Sequence, residues 1–156
     1  MKILFVCTGN TCRSPLAEAI ARKVVIERGL TEVEVGSAGV SAFEGGSASD
    51  GALLVGIEGR VDVANHRSRQ LTRALVAEAD LVLGMAPQHV GHAESLGGEG
   101  KSFLLSEYAS HGASAQPVSD PFGGDLDVYR ATYEELEQAI RRALDRVVAE
   151  QTPDRS

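Results

Sequence analysis

The sequence predicts an α/β fold: a single-domain, three-layer α/β/α structure around a four-stranded parallel sheet. Four short apolar segments, each typical of a buried strand, alternate along the chain with stretches of helical periodicity. The length of 156 residues fits one domain, and the sequence contains no internal repeat. Strands that alternate with helices pair in parallel through right-handed crossovers, and ligands of such sheets bind beyond the carboxyl ends of the strands.

The first element is a strand over residues 2–6, which are almost entirely apolar. A short loop follows it, and residues 15–29 then show helical periodicity. Ser14 suits the N-cap of this helix, Pro15 suits its first position, and Gly29 suits its end. The start of the chain therefore predicts a strand, a tight loop and a helix.

The next elements continue the alternation. Residues 32–35 alternate as a second strand does, and residues 37–39 predict a turn. The Gly- and Ser-rich residues 40–49 predict a loop, and a helix is expected over residues 49–59. The polar residues 66–70 are expected on the surface.

The third and fourth strands come later. A short helix over 72–78 is expected before a buried strand over 80–85, and a helix over 87–98 before a strand over 102–105. Residues 107–124 are rich in Ser, Ala, Gly and Pro, which predicts a long loop. A loop of this length inside a compact domain is usually functional.

The most regular pattern is the last helix. Its apolar stripe keeps three- and four-residue spacing. The stripe consists of Leu126, Tyr129, Tyr133, Leu136, Ile140, Leu144 and Val147. We therefore expect a domain over residues 1–150 and a flexible polar tail over residues 151–156.

Composition excludes several classes of protein. The net charge of −7 argues against a nucleic-acid partner, which usually demands a basic face. Residues 1–6 lack the features of a signal peptide, and no apolar run approaches the length of a membrane span. His89 and His92 could share a helix face, but without a third ligand they make a poor metal site. We expect a cytoplasmic monomer with no membrane association, cofactor or metal.

The loop after the first strand combines groups that bind an oxyanion. A loop that ends at a helix N-terminus presents unpaired backbone N–H groups and a partial positive charge. Gly9 and Asn10 tolerate unusual backbone angles, and the Arg13 guanidinium can bind two phosphate oxygens. The same surroundings favour the thiolate form of Cys7, to which Ser14 can donate a hydrogen bond. The pattern indicates a covalent phosphocysteine mechanism without a metal, although Cys7 could instead be a buried structural thiol.

Residues 6–15 (VCTGNTCRSP) resemble the phosphate loop of the low-molecular-weight protein tyrosine phosphatase family, most closely its bacterial protein-arginine phosphatase branch. The resemblance extends over nearly the whole chain. It implies catalytic roles for Cys7 and Arg13 and a phosphorylated protein as substrate. It also implies phosphate binding by the rest of the loop, namely Thr8, Gly9, Asn10, Thr11, Cys12 and Ser14.

A general acid is needed for the leaving group, and Asp120 is the best candidate. It precedes Pro121 in the long loop, and Phe122 could form a wall of the pocket. Spacing alone equally allows a simple Asp-Pro turn, but the motif matches the acid motif of the family. Asp125 and Asp127 are competitors, and a capping role at the last helix suits both better.

Other roles rest on the resemblance alone. Ser37 and His66, together with Asn10 and Ser14, match residues that hold the family's phosphate loop in shape. Without the resemblance, His66 would be taken for an ordinary surface or core histidine.

Thr11 bears on the substrate. Tyrosine-specific members of the family usually have a bulky aliphatic residue there, and two aromatic residues after Asp-Pro. Here Thr11 and the sequence Phe122-Gly123-Gly124 favour phosphoarginine, whose guanidinium is polar. If Thr11 is merely a loop residue, the protein is a tyrosine phosphatase of the same family.

Three further interpretations remain open. An arsenate reductase of this fold would need a cysteine pair downstream, but no cysteine follows Cys12. A silent phosphate-binding module would not need Cys7, Arg13, Ser14 and Asp120 together. Finally, Cys12 could form a disulfide with Cys7 that protects the nucleophile reversibly, or could simply be a packed small residue.

Overall fold

The four strands form one parallel sheet in the order β2-β1-β3-β4 in a computed structural model, which describes residues 1–151. The strands are β1 (Lys2–Cys7), β2 (Glu34–Gly39), β3 (Leu81–Gly84) and β4 (Ser102–Leu104). The chain leaves β1 toward β2 and later returns to the opposite side of β1 as β3. The direction of winding therefore reverses at β1, and the loop after β1 lies at this switch point, where ligands of such sheets bind. The predicted fold class is confirmed.

Seven helical segments cover the sheet within the described residues. They are α1 (Arg13–Glu27), α2 (Asp50–Glu58), α3 (Arg73–Glu78), α4 (Pro87–Ala93), a π-helical turn (Glu94–Gly98), α5 (Leu105–Ala109) and α6 (Leu126–Gln151).

Alternate side chains of β1 point to opposite layers. Ile3 and Phe5 pack in the core shared with α1, α2, α5 and α6, while Leu4 and Val6 pack with residues of α3 and α4. All four are at most 2% exposed. Burying each contributes about 1.5–3 kcal/mol of hydrophobic stabilisation, so the central strand is firmly held on both faces. The loop that follows it starts from a rigid base.

Residues 37–39 were expected to turn, but they belong to β2. The pairing with β1 continues through them, with Phe5 opposite Ser37 and Cys7 opposite Gly39. A Cβ at Gly39 would lie 2.5 Å from the Thr8 carbonyl oxygen, so only glycine lets the strand pass so close to the loop. The sequence Ser-Ala-Gly has weak strand propensity, and this tertiary pairing overrides it.

The prediction of Ser14 as N-cap was wrong. Helix α1 begins at Arg13, Cys12 precedes it without a side-chain cap, and Pro15 occupies the third helical position. The Ser14 hydroxyl is engaged elsewhere, with the Cys7 sulfur.

The predicted surface position of residues 66–70 was also wrong in part. Ser68 is 2% exposed, and Arg69 and Gln70 are half-buried. These polar groups are buried because they bond the loops around the site: Gln70 Nε2 donates to the Val40 carbonyl at 2.8 Å.

Two later elements have boundaries that differ from the prediction. Helix α5 occupies the start of what was expected to be a continuous loop, while residues 110–125 are irregular. Helix α6 extends as far as Gln151, and the rest of the predicted tail, residues 152–156, lies outside the described residues.

Candidate active site

The loop between β1 and α1 curls around a cavity of about 240 Å³. The cavity is lined by Cys7, Thr8, Gly9, Thr11, Cys12, Arg13, Asp120 and Phe122. The structure thus brings together the predicted nucleophile, cation and acid from distant parts of the chain.

The Cys7 sulfur is buried and lies 2.9 Å from the Ser14 hydroxyl oxygen. Asn10 Nδ2 donates to the same oxygen at 2.8 Å. Because Ser14 Oγ accepts this bond, its own hydrogen is available for the Cys7 sulfur. Ser14 can therefore stabilise negative charge on that sulfur.

Asn10 is the centre of the loop's internal support. It is fully buried and has a φ of +56°, a conformation that asparagine tolerates better than most residues. Its Nδ2 also donates to Ser37 Oγ at 3.0 Å, and its Oδ1 accepts from the Arg69 backbone N–H at 3.0 Å. The side chain is thus tied to α1, β2 and the segment before α3.

Ser37 is in turn hydrogen-bonded to Glu18, a residue that the sequence analysis missed. The Ser37 hydroxyl donates to Glu18 Oε1 at 2.6 Å, and Arg69 Nε donates to the Ser37 carbonyl at 2.8 Å. Hydrogen-bond donation therefore runs in two directions from Asn10, toward the Glu18 carboxylate and toward the Cys7 sulfur. One turn of α1 separates Glu18 from Ser14, but nothing in the sequence distinguishes it from a solvent-facing glutamate.

His66 lies beside the same loop. Its Nε2 is 2.6 Å from the Asn10 carbonyl oxygen. A carbonyl can only accept, so His66 donates this bond. His66 and Ser37 thus both form hydrogen bonds with Asn10 of the loop.

Arg13 and Asp120 face each other across the cavity. Arg13 is buried, and its Nη1 donates to the Val118 carbonyl at 3.0 Å. Its Nη2 lies 3.7 Å from Asp120 Oδ2, while Oδ1 of Asp120 accepts from the Phe122 backbone N–H. Asp120 is about half exposed and Phe122 is 77% exposed, so the acid side of the cavity opens to solvent.

Of the two competing acids, Asp125 caps α6, whereas Asp127 lies in the first turn of that helix and pairs with a side chain. Asp125 Oδ1 accepts from the Val128 N–H at the start of α6, and Asp127 forms an ion pair with Arg130 at 2.9 Å.

Cys12 contacts three hydroxyl groups, one of them that of the neighbouring Thr11 at 3.8 Å. Its sulfur lies 3.3 Å from Ser49 Oγ and 3.5 Å from the Tyr129 hydroxyl, and these two oxygens are 3.1 Å apart. Burial raises the pKa of Tyr129, which therefore stays protonated. Cys7 and Cys12 are both free thiols on the same cavity.

His89 is a second contact that the sequence analysis missed. It is fully buried in α4, and its Nε2 lies 2.9 Å from Thr8 Oγ1. Desolvation and the nearby Arg13 charge lower the pKa of His89 to about 4. One signal was available: α4 follows the carboxyl end of β3, which lies at the same sheet edge as the phosphate loop.

Two kinds of feature are absent from residues 1–151. No three His, Cys, Asp or Glu side chains there are arranged to hold a metal ion. No helix there combines the length and apolar character needed to cross a membrane.

Comparison with known proteins gives consistent matches. The profile of the low molecular weight phosphotyrosine protein phosphatases matches residues 2–152. A protein-arginine-phosphatase of Bacillus subtilis (strain 168) is 45% identical over 146 residues, covering 91% of this chain and 93% of the relative. A low molecular weight protein-tyrosine-phosphatase, PtpB, of Staphylococcus haemolyticus is 37% identical over 137 residues, covering 87% and 92%.

A solved structure is similar over the whole fold. It is a mutant YwlE arginine phosphatase with a phosphorylated active-site serine, and it has a TM-score of 0.90 and 41% identity. The match covers 97% of this chain and 98% of that chain. From its sequence and its structure alike, the chain belongs to the low molecular weight phosphotyrosine protein phosphatase family.

Proposed function

We propose that the protein is a cysteine-dependent protein phosphatase that hydrolyses phosphoarginine in proteins. The observation that carries the chemistry is the Cys7 sulfur, 2.9 Å from a Ser14 hydroxyl, at the base of a cavity bounded by Arg13 and Asp120. The similar structure with a phosphorylated serine in place of a cysteine supports a covalent intermediate.

In the first step, the Cys7 thiolate attacks phosphorus. The S–P bond forms as the P–N bond to the arginine side chain breaks, and Asp120 gives a proton to the departing nitrogen. The loop N–H groups and the Arg13 fork hold the phosphoryl oxygens during transfer.

In the second step, Asp120 takes a proton from water, and the water oxygen attacks phosphorus. The S–P bond breaks, inorganic phosphate is released, and Ser14 stabilises the returning thiolate. The carboxyl group ends as it began, protonated, so one residue serves as acid and then as base.

Thr11 supports phosphoarginine rather than phosphotyrosine. It lines the cavity and offers a hydroxyl to a polar guanidinium, and a single aromatic residue, Phe122, follows Asp120-Pro121. The Bacillus subtilis relative, which is 45% identical, is also named a protein-arginine-phosphatase. The alternative is a tyrosine phosphatase, as the Staphylococcus relative is named.

A paired assay distinguishes the two substrates. Purified protein receives phosphoarginine and phosphotyrosine peptides of the same sequence, with Cys7→Ser as the blank. We expect a preference for phosphoarginine. Thr11→Ile should lower the ratio of the two activities about tenfold or more, because the change removes a polar contact with the guanidinium from the cavity wall. A preference for phosphotyrosine in the unchanged protein would overturn the substrate assignment and leave the chemistry intact.

The two cysteines support a protective disulfide. Peroxide would oxidise the Cys7 thiolate to a sulfenic acid, and attack by the Cys12 sulfur would form the S–S bond and release water. Dithiothreitol should then restore activity in the unchanged protein but not in Cys12→Ser. Equal recovery of both would contradict the role of Cys12. A monomeric state and a cytoplasmic location remain predictions of the sequence.

A further inference from the structure

Thr8 and His89 form a hydrogen bond at the wall of the active cavity. Neither side chain takes part in the two steps of the proposed reaction. Thr8 directly follows the nucleophile, is exposed, and lines the cavity beside Cys7. His89 is fully buried behind it, with Nε2 2.9 Å from Thr8 Oγ1. A buried side chain thus contacts an exposed hydroxyl at the cavity wall.

The direction of this hydrogen bond follows from the other ring nitrogen. The Ala86 backbone N–H donates to His89 Nδ1 at 3.0 Å, so Nδ1 carries no hydrogen. A neutral imidazole then has its hydrogen on Nε2, which donates to Thr8 Oγ1. The Thr8 hydroxyl accepts from His89, and its own hydrogen is left for another acceptor.

The histidine remains neutral at the pH at which a phosphatase works. Its pKa is lowered to about 4 by burial and by the Arg13 charge, which outweigh the opposing effect of Asp120. A protonated ring would lose the bond from Ala86 and add a charge to the loop. The neutral tautomer is therefore a fixed feature of the site.

The backbone around His89 has little room to move. The start of α4 packs against the end of β3, where a Cβ at Gly84 would lie 2.9 Å from Val90 Cγ2 and 3.2 Å from His89 Cβ. Such close packing holds the imidazole at a fixed position behind the phosphate loop. Within residues 1–151, no protein acceptor is found for the Thr8 hydroxyl hydrogen, which is free to point into the cavity.

We propose that His89 is a positioning residue that holds the Thr8 hydroxyl as a hydrogen-bond donor to an oxygen of the bound phosphoryl group. The loop would then bind phosphate with its backbone N–H groups, the Arg13 fork and one fixed side-chain hydroxyl. This inference rests on the proposed function only in requiring that the cavity binds a phosphoryl group. It does not depend on which residue carries that group.

A double-mutant cycle tests the proposal. Thr8→Val removes the hydroxyl at constant shape, and His89→Leu removes the ring that orients it. Each change should lower kcat/KM about tenfold or more, the size expected for one hydrogen bond to an anionic oxygen, for both p-nitrophenyl phosphate and a phosphoarginine peptide. Each should also weaken competitive inhibition by inorganic phosphate. If His89 acts through Thr8, the double variant should be no worse than either single variant.

Two conservative variants control for a merely structural role. Thr8→Ser keeps the hydroxyl, and His89→Gln carries an acceptor and a donor with nearly the same separation as the two ring nitrogens, so both should retain most of the inhibition by phosphate. If His89 only caps the start of α4, the result should differ. His89→Leu should then destabilise the protein and should lower activity further in the Thr8→Val background.

The proposal for His89 and the assignment of phosphoarginine as substrate can fail independently of each other. Failure to hydrolyse phosphoarginine with normal turnover of p-nitrophenyl phosphate would overturn the proposed function but leave this test valid. Multiplicative losses in the double variant, or unchanged phosphate inhibition in Thr8→Val, would overturn the role of His89.

Discussion

The nucleophile side and the acid side of the cavity are held in opposite ways. Cys7 and Asn10 are buried, and the Asn10 side chain ties the loop to three other segments. Asp120 is half exposed and is positioned by a local turn bond to Phe122 and an ion pair of 3.7 Å. We therefore expect stability and catalysis to be coupled on the nucleophile side of the site and separable on the acid side.

The acid side should therefore lose activity without losing stability. Asp120→Asn keeps the acceptor for the Phe122 N–H but cannot donate or take the catalytic proton. We expect kcat for a phosphoarginine peptide to fall by about 10²–10⁴, the usual contribution of a general acid and base. The free energy of unfolding should change by less than about 1 kcal/mol, because the Asp120 carboxylate is half exposed, its 3.7 Å contact with Arg13 is long, and the buried Arg13 keeps its bond to the Val118 carbonyl.

Substrates with different leaving groups sharpen this test. A substrate with a good leaving group, such as p-nitrophenyl phosphate, needs less proton donation, so Asp120→Asn should lower its rate of phosphocysteine formation much less. Equal losses for both leaving groups in single-turnover experiments would argue against Asp120 as the acid. A loss of stability comparable to the loss of activity would show that Asp120 supports the fold as well as the chemistry.

The nucleophile side should lose both properties together. Asn10→Ala removes three buried hydrogen bonds and leaves the Arg69 N–H without its acceptor. We expect the free energy of unfolding to fall by about 2–4 kcal/mol in urea titrations, with a marked loss of kcat.

Two matched variants separate the causes of that loss. Asn10→Gly removes the same bonds but accepts the φ of +56°, so the difference between the two variants measures backbone strain, about 1 kcal/mol. Asn65→Ala, at an exposed asparagine, should have little effect. Unchanged stability in Asn10→Ala would show that the loop keeps its shape without this side chain.

The same contrast explains what could be predicted from the sequence. Strand and helix patterns gave the sheet and most helices, and the motif from Cys7 to Ser14 identified the loop, because these signals are local. Asp120 needed the family motif, since only the fold brings residue 120 to residue 7. Glu18 and His89 gave no local signal: an ordinary helical glutamate and a helix-capping histidine become part of the site only through tertiary contacts.

The pH dependence of stability is the last of these effects. It tests the contact between His89 and Thr8 of the phosphate loop. The pKa of His89 lies at about 4 in the folded protein and near 6.5 when unfolded. Between these values the unfolded chain binds a proton that the folded protein does not, so this residue's contribution to stability is present above pH 6.5 and is lost as the pH falls toward 4. Allowing for screening by water in the cavity, we expect a loss of about 2 kcal/mol.

Urea titrations of the unchanged protein and of His89→Gln at pH 7, 6, 5 and 4.5 measure this loss by difference, since the other titrating groups are common to both. The stability of the unchanged protein should fall relative to the variant as the pH decreases. A constant difference across this range would mean that His89 is as easily protonated in the fold as in water, which would contradict the neutral ring that the bond to Thr8 requires.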